Sequence, residues 1–193
     1  MDCAKVGRLI YRLRHEKGMT QRQLADSLGV SDKAISKWER GLGCPDVTLL
    51  RALSAVLGAD IGSILAGDLD PNLQDGGNMK RLKFHVCATC GNIITATGDA
   101  DIACCGRKVP ALVPRPADGE HQLTVEEVED DWYITFPHEM HKEHFLRFIA
   151  CVSYDRVLLV RLYPEQGSEV RMPKLRSSKF FTCCSEHGLM VHG

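Results

Sequence analysis

The chain has 193 residues, 44% hydrophobic and 25% charged, with a formal net charge of −1, an ordinary composition for a globular protein of one to three small domains. No apolar run approaches the roughly 20 residues that cross a bilayer, and the opening "MDCAKVGRLIYRLRHEKG" lacks the apolar core and small-residue cleavage site of a secretory signal; a cytoplasmic protein with no membrane partner is expected. The near-neutral total hides an asymmetry, since residues 1–40 carry nine Lys and Arg against five Asp and Glu, whereas 118–131 carry seven acids and no Lys or Arg: the first segment suits a polyanion, the second does not.

From Val6 to Leu65 the pattern is helical. Val6, Leu9, Ile10 and Leu13 recur at helix spacing in a first helix ending at Gly18. Thr20 caps a second, with Gln23 placed to complete a capping box, and Gly29 stops it after Leu28. Ser31 caps a third helix, with Ile35 and Trp38 inward and Gly41 closing it; Pro45-Asp46 opens a fourth through Leu49, Leu53, Val56 and Leu57, and a short fifth runs from Ile61 to Leu65. The segment "AGDLDPNLQDGGNMKR" has no apolar period and reads as a linker. Beyond it Trp132, Ile134 and Phe136 alternate, as do Leu146, Phe148, Ala150 and Val152, and "RVLLVRLY" is rich in strand formers. The expected division is an all-α domain over 1–66, a linker over 67–81, a small metal domain over 82–115 and a β-rich domain over 116–193.

"QRQLADSLGVSDKAISKWERG" has the spacing of two helices meeting at a tight turn, with Ala25 small at their contact, Gly29 free to take positive φ, and Leu24, Val30, Ile35 and Trp38 filling the shared core. Over residues 6–66 this resembles the Cro-like (XRE) helix-turn-helix phage-repressor family. The resemblance implies that the third helix enters the major groove of double-stranded DNA, that Gln21 holds a phosphate, and that Ser31, Asp32, Lys33, Ser36 and Lys37 form the reading face, with Arg40 a backbone or local capping contact. Asp32 could accept from a cytosine amino group or cap the third helix. The plainer alternative is a five-helix bundle with solvated charges.

"CATCGN" and "ACCG" place Cys87, Cys90, Cys104 and Cys105 so that two short loops can surround one tetrahedral ion. The adjacent Cys-Cys and the "CGN" after the first pair resemble the desulforedoxin-type iron knot, which implies iron; a closed structural zinc site has the same spacing, so Fe and Zn both stand.

"PHEMHKEHF" holds three histidines and "CCSEHG" a Cys-x-x-His. Together with the cysteine quartet and a single upstream histidine after a glycine, these resemble desulfoferrodoxin, a two-domain superoxide reductase whose second domain is an immunoglobulin-like β-sandwich. The resemblance implies a mononuclear iron held by His121, His138, His144 and His187 with Cys184 axial; His141 and Cys183 match no ligand position. Four neutral imidazoles keep Fe(II) accessible, and one thiolate pushes electron density toward an opposite open site. Two departures bear on activity: the family's Lys before the first ligand is Glu120 here, and its His-Pro-Met is "HEM". A carboxylate beside the open site, followed by Glu126, Glu127, Glu129, Asp130 and Asp131, opposes approach of a superoxide anion.

Three functions follow. The first is a homodimeric transcriptional regulator whose iron domain senses superoxide, oxygen or iron. The second is a superoxide reductase, served by an electron-donor protein, with a DNA-binding domain attached. The third is a regulator with two zinc sites and no redox role. Cys3, Cys44, Cys151 and Cys183 have no partner pattern and are expected to be buried free thiols.

Overall fold

A computed structural model describes residues 2–74 and 76–192; Met1, Asp75 and Gly193, which fall in the expected helical domain, linker and β-rich domain, lie outside the described residues. The chain divides into two compact units, one running to Pro71 and the other beginning at Asn72.

Among the described residues the first unit holds five α-helices: α1 (Cys3–Glu16), α2 (Gln21–Leu28), α3 (Asp32–Glu39), α4 (Leu50–Leu57) and α5 (Ile61–Ala66). Local chemistry sets each start. The Asp2 carboxylate accepts from the amides of Ala4 and Lys5 at the head of α1, Thr20 and Gln23 form the reciprocal capping box of α2, and the Ser31 hydroxyl accepts from Ala34 N. Gly29, at φ +65°, ends α2 and makes the turn into α3. One core joins the helices: Val6, Leu9, Ile10 and Leu13 meet Leu24, Ala25, Ile35, Trp38, Leu53 and Ile64. Gly7 lets α1 lie against the end of α3, because a Cβ there would stand 2.0 Å from the Trp38 carbonyl oxygen. Beneath the turn Arg14 is buried, with Nε donating to Glu39 Oε1 at 2.6 Å, one terminal nitrogen to Oε2 at 3.0 Å and the other to Met19 O at 2.6 Å. This ion pair, 25 residues apart in sequence, has no local signature.

The second unit is built of twelve strands among the described residues. Two hairpins come first, β1 (Lys83–Val86) with β2 (Ile93–Ala96), then β3 (Ala103–Cys104) with β4 (Arg107–Lys108). They are followed by β5 (Arg115–Pro116), β6 (Thr124–Val128), β7 (Asp131–Thr135), β8 (Leu146–Val152), β9 (Val157–Arg161), β10 (Glu169–Pro173), β11 (Lys179–Cys184) and β12 (Gly188–His192). These form a five-stranded sheet, β5-β12-β11-β8-β9, and a three-stranded sheet, β10-β7-β6, antiparallel except for β5 beside β12. Ile149 and Cys151 of β8 pack with Ile134, Val170 and Met172 of the three-stranded sheet. Phe148, Ala150 and Val152 pack on the other side with Phe84, Val86 and Ile93 of the first hairpin. The larger sheet is thus covered on both faces, and β8, whose alternation suggests one buried face, is buried throughout except for a half-exposed Arg147.

Leu69 packs on the helical core, while Asn72 donates to Asp99 O at 2.5 Å and Met79 N to Tyr154 O at 2.8 Å within the second unit. No described helix is long and apolar enough to cross a membrane. One expectation is corrected. Cys3 and Cys44 are not buried free thiols: they are half-buried and joined in a disulfide with Cα atoms 5.0 Å apart. Cys151 and Cys183 are free and buried, and burial raises both thiol pKa values, Cys183 to about 12.

Candidate metal centres and nucleic-acid face

The cysteine quartet converges. The ligand atoms of Cys87, Cys90, Cys104 and Cys105 lie within 4.8 Å of one another. Cys87 is buried at the end of β1, and Gly91, at φ +68°, turns the chain so that its amide donates to Cys87 O at 2.8 Å. The second pair is carried by the tight β3-β4 hairpin, with Cys105 at φ +51° and Gly106 at φ +74°. Amides of Cys90 and Thr89 donate to the Cys87 sulfur and hold its pKa at about 6, whereas neighbouring sulfurs push Cys105 up to about 12. Asn92 Nδ2 points to Cys104 Sγ at 3.8 Å. Four sulfurs crowded together resist full ionisation unless a cation sits among them, so the donor set fits a soft divalent or trivalent ion such as Zn or Fe.

The second group lies at one end of the sandwich. His121 closes a 3-10 turn (Gly119–His121) between β5 and β6, His138 follows β7, His144 precedes β8, Cys184 ends β11 and His187 lies in the turn to β12. The four imidazoles form a closed ring of neighbours, with centroid separations of 4.9 Å for His121–His138, 4.4 Å for His138–His144, 5.1 Å for His144–His187 and 4.9 Å for His187–His121. Cys184 Sγ lies 3.5 Å from His187 Nδ1, and its sulfur groups with the ring nitrogens of His121, His138 and His144 inside 4.8 Å. A one-residue shift in register puts Cys184 opposite Leu146 while Cys183 pairs with Phe148. Cys184 therefore packs on the Ile134–Met140–Leu146 side and Cys183 on the Phe84–Phe148 side, away from the ring.

The hydrogen bonding leaves ring nitrogens free to ligate a cation. His138 Nδ1 is satisfied by the Glu139 carbonyl, yet its Nε2 and that of His144 are buried with no partner. His121 Nε2 and His187 Nδ1 face each other at 3.2 Å. Burial holds His121 and His138 below the ordinary histidine pKa, favouring the neutral, ligating form. The Glu186 amide points at Cys184 Sγ at 3.4 Å. His141 stands outside the ring, exposed, with Nε2 3.4 Å from Glu139.

Ser185 has a part at this site that no motif of the sequence announces. Its hydroxyl donates to Glu143 O at 3.1 Å and accepts from Phe145 N at 3.1 Å, and its amide donates to Phe145 O at 2.9 Å. Three bonds so latch the His144 loop to the turn between Cys184 and His187, and a lone serine in that turn carries no signal of it.

Glu120 Oε1 lies 3.9 Å from His121 Nε2, and the carboxylate joins His121, His144 and His187 in a group spanning no more than 4.8 Å. An open cavity of about 390 Å³ runs past it, lined by Arg115, Asp118, Glu120, His121, His187 and Met190. Arg115 donates to the His187 carbonyl, which puts a cation on the wall of that cavity. The acidic run is partly neutralised where it lies on β6 and β7: Lys174 pairs with Glu127, and Arg171 with Glu129 and Asp131.

In the first unit Gln21, Asp32, Lys33, Ser36, Lys37, Arg40 and Leu42 border one shallow concavity. Ser31, Asp32, Lys33, Lys37 and Arg40 are exposed and Ser36 half-buried. Ser31 rather than Asp32 caps α3, and Asp32 Oδ1 accepts from Lys33 N at 2.8 Å. Arg40 Nε donates to Ser36 O at 3.1 Å, and Gln21 Nε2 to Glu39 Oε2 at 2.7 Å, so the buried ion pair also orients the head of α2.

The β-rich unit is similar in fold to the superoxide reductase from Treponema pallidum, with a TM-score of 0.50 and 18% identity, over 57% of this chain and 95% of that one. The chain is also 39% identical over 74 residues to the HTH-type transcriptional activator BcrR of Enterococcus faecalis, over 38% of this chain and 36% of that protein, so the match spans about a third of the relative's length. It is 35% identical over 74 residues to the SPbeta prophage-derived HTH-type transcriptional regulator YonR of Bacillus subtilis, over 36% of this chain and 68% of that protein. Residues 10–64, which run from the middle of α1 through α2, α3 and α4 into α5, match the helix-turn-helix family HTH_3, and the chain belongs to that family.

Proposed function

We propose that the protein is a cytoplasmic, homodimeric, sequence-specific DNA-binding transcriptional regulator whose second unit holds a mononuclear non-haem iron and responds to superoxide, oxygen or iron supply. The observation that carries this reading is the ring of four imidazoles with a buried thiol beside it, in a chain that also presents an exposed helix-turn-helix face. Ser31, Asp32, Lys33, Ser36 and Lys37 would meet the major groove, with Gln21 and Arg40 toward the phosphates. His121, His138, His144, His187 and Cys184 would hold the iron, and Cys87, Cys90, Cys104 and Cys105 an iron or zinc ion. Iron bound by the imidazole ring would supply one-electron exchange with a small anion.

The chain's own groups prepare that exchange. Burial favours the neutral form of His121 and His138, the Glu186 amide points at the Cys184 sulfur, and the Glu120 carboxylate stands beside the ring. The deciding experiment is metal content and visible spectrum of anaerobically purified protein, before and after mild oxidation, followed by DNA binding in each oxidation state. Iron with a thiolate band that disappears in Cys184→Ser, and operator affinity that changes with oxidation, is the expected result; zinc in both sites would sink the redox reading.

The superoxide reductase reading is favoured by one observation, the Arg115 guanidinium on the wall of the cavity beside His187. A cation there offsets Glu120 in attracting superoxide, with an electron-donor protein completing turnover. Glu120→Lys should then raise the rate with superoxide by up to about tenfold at low ionic strength, read by rapid mixing; an unchanged rate removes Glu120 from any part in steering.

A further inference from the structure

The DNA-binding unit contains no cluster of metal-ligand side chains among the described residues, yet it contains the one disulfide found among them, Cys3–Cys44. Cys3 is the first residue of α1, and Cys44 follows "RGLG", the segment that leaves α3. That segment joins the reading face to the head of α1. Leu42 borders the same concavity as Lys33, Ser36 and Lys37, and its amide donates to Lys37 O at 2.9 Å. Gly41, at φ +73°, sits so close to α1 that a Cβ would stand 2.9 Å from Ala4 Cα. With glycines at 41 and 43 the segment has little stiffness of its own, and the disulfide is the covalent tie that holds it on α1. Both sulfurs belong to half-buried residues outside the hydrophobic core, within reach of small reagents, whereas Cys151 and Cys183 are buried.

We infer that Cys3 and Cys44 form a reversible redox-modification site that tunes DNA affinity independently of the metal centres. The oxidant class is a hydroperoxide. One thiolate attacks a peroxide oxygen and breaks the O–O bond, giving a sulfenic acid and the first water in the case of hydrogen peroxide. The second thiol attacks the sulfenic sulfur, the S–S bond forms, and the hydroxyl leaves as the second water; two thiols lose two electrons and two protons in all. A dithiol reductant reverses the step by thiol–disulfide exchange. Either cysteine can make the first attack, since the two end as the same disulfide. In the disulfide form the segment from Arg40 to Cys44 is held against α1 and the reading face is preorganised; in the dithiol form it is released.

This inference rests on the DNA-binding reading, and one experiment separates the two. Full-length protein in the disulfide form selects a duplex from a random library, and affinity for that duplex is measured at fixed salt for the disulfide form, the dithiol form and the Cys3→Ser/Cys44→Ser variant, with thiol state read by alkylation and mass spectrometry. Expected is an affinity about fivefold or more weaker for the dithiol form, restored by one equivalent of hydrogen peroxide, and a variant that binds like the dithiol form and ignores reductant. Equal affinity of the two wild-type forms within about twofold, or a disulfide that dithiothreitol opens only on unfolding, overturns it. A variant that still responds to reductant assigns the response to the metal sites and also overturns it. If no duplex is enriched, the DNA-binding reading fails and takes this inference with it, whereas an enriched duplex indifferent to thiol state removes the switch alone.

Discussion

Three side chains, Arg14, Glu39 and Ser185, hold the two candidate faces in place. Arg14 and Glu39 are 6% and 4% exposed in their side chains, and Glu39 also accepts from Gln21 at the head of α2. Removing one partner strands a buried charge, so Arg14→Ala should cost about 3–5 kcal/mol of stability in the helical unit, while a double replacement of Arg14 and Glu39 by methionine should recover much of it. Chemical denaturation followed by helical circular dichroism distinguishes these outcomes; a loss under about 1 kcal/mol for Arg14→Ala would mean that Glu39 is solvated after all. Ser185 has the corresponding place at the imidazole ring, through its three bonds to the His144 loop. Ser185→Ala keeps every candidate ligand but frees that loop, and metal affinity by competition with a chelator should fall by about tenfold. An unchanged affinity would show that packing of Met140 and Leu146 alone positions His144.

At the scale of elements, β12 carries a titratable group into the fold. His192 bonds to Thr182 of β11 at 3.0 Å, and burial drives its pKa down to about 4 from an unfolded value near 6.5. Because the folded value is the lower one, neutral His192 contributes stability that is fully present above about pH 6.5 and is lost as pH falls toward 4. His121 and His138 shift in the same direction. The β-rich unit should therefore lose thermal stability between pH 7 and pH 5, and His192→Gln should lose less; equal losses would take His192 out of the acid response. Elements also divide in how far the sequence announces them. The helices are legible where their starts and stops are local: Thr20 with Gln23, Ser31 and Gly29 act within one turn, whereas the fourth, expected from Pro45-Asp46, begins as a 3-10 turn (Val47–Leu49) and becomes α-helical only at Leu50, with no side-chain cap. The strands are legible as strands, but not the burial of both faces of β8, because Phe84 and Val86, which cover one of them, lie more than 60 residues earlier. Of the metal groups, the cysteine quartet announces itself by spacing, whereas the histidine ring spans 121 to 187 and is visible only through a family resemblance. The Cys3–Cys44 pair, 41 residues apart, has neither spacing nor resemblance to betray it.

On the scale of the whole molecule, two separate cores meet two separate kinds of crosslink. The candidate metal groups are both in the unit that begins at Asn72, and the disulfide is in the unit that ends at Pro71. Metal bound only by the folded state stabilises that state alone, and closing a loop of about 40 residues constrains the unfolded chain by about 4 kcal/mol. The two effects should therefore act on different transitions. Chelation under anaerobic conditions should lower the melting of the β-rich unit and leave the helical transition in place; reduction of Cys3–Cys44 should lower the helical transition and leave the other. Calorimetry of the full chain under the four combinations of metal and reductant reads both at once. Additive shifts on separate transitions would mean that each unit keeps its own stability, so that any signal passing between them travels through binding rather than through shared unfolding. A single transition that moves with either treatment would mean that the two units fold as one, and would place the candidate metal sites and the helix-turn-helix face in one cooperative structure.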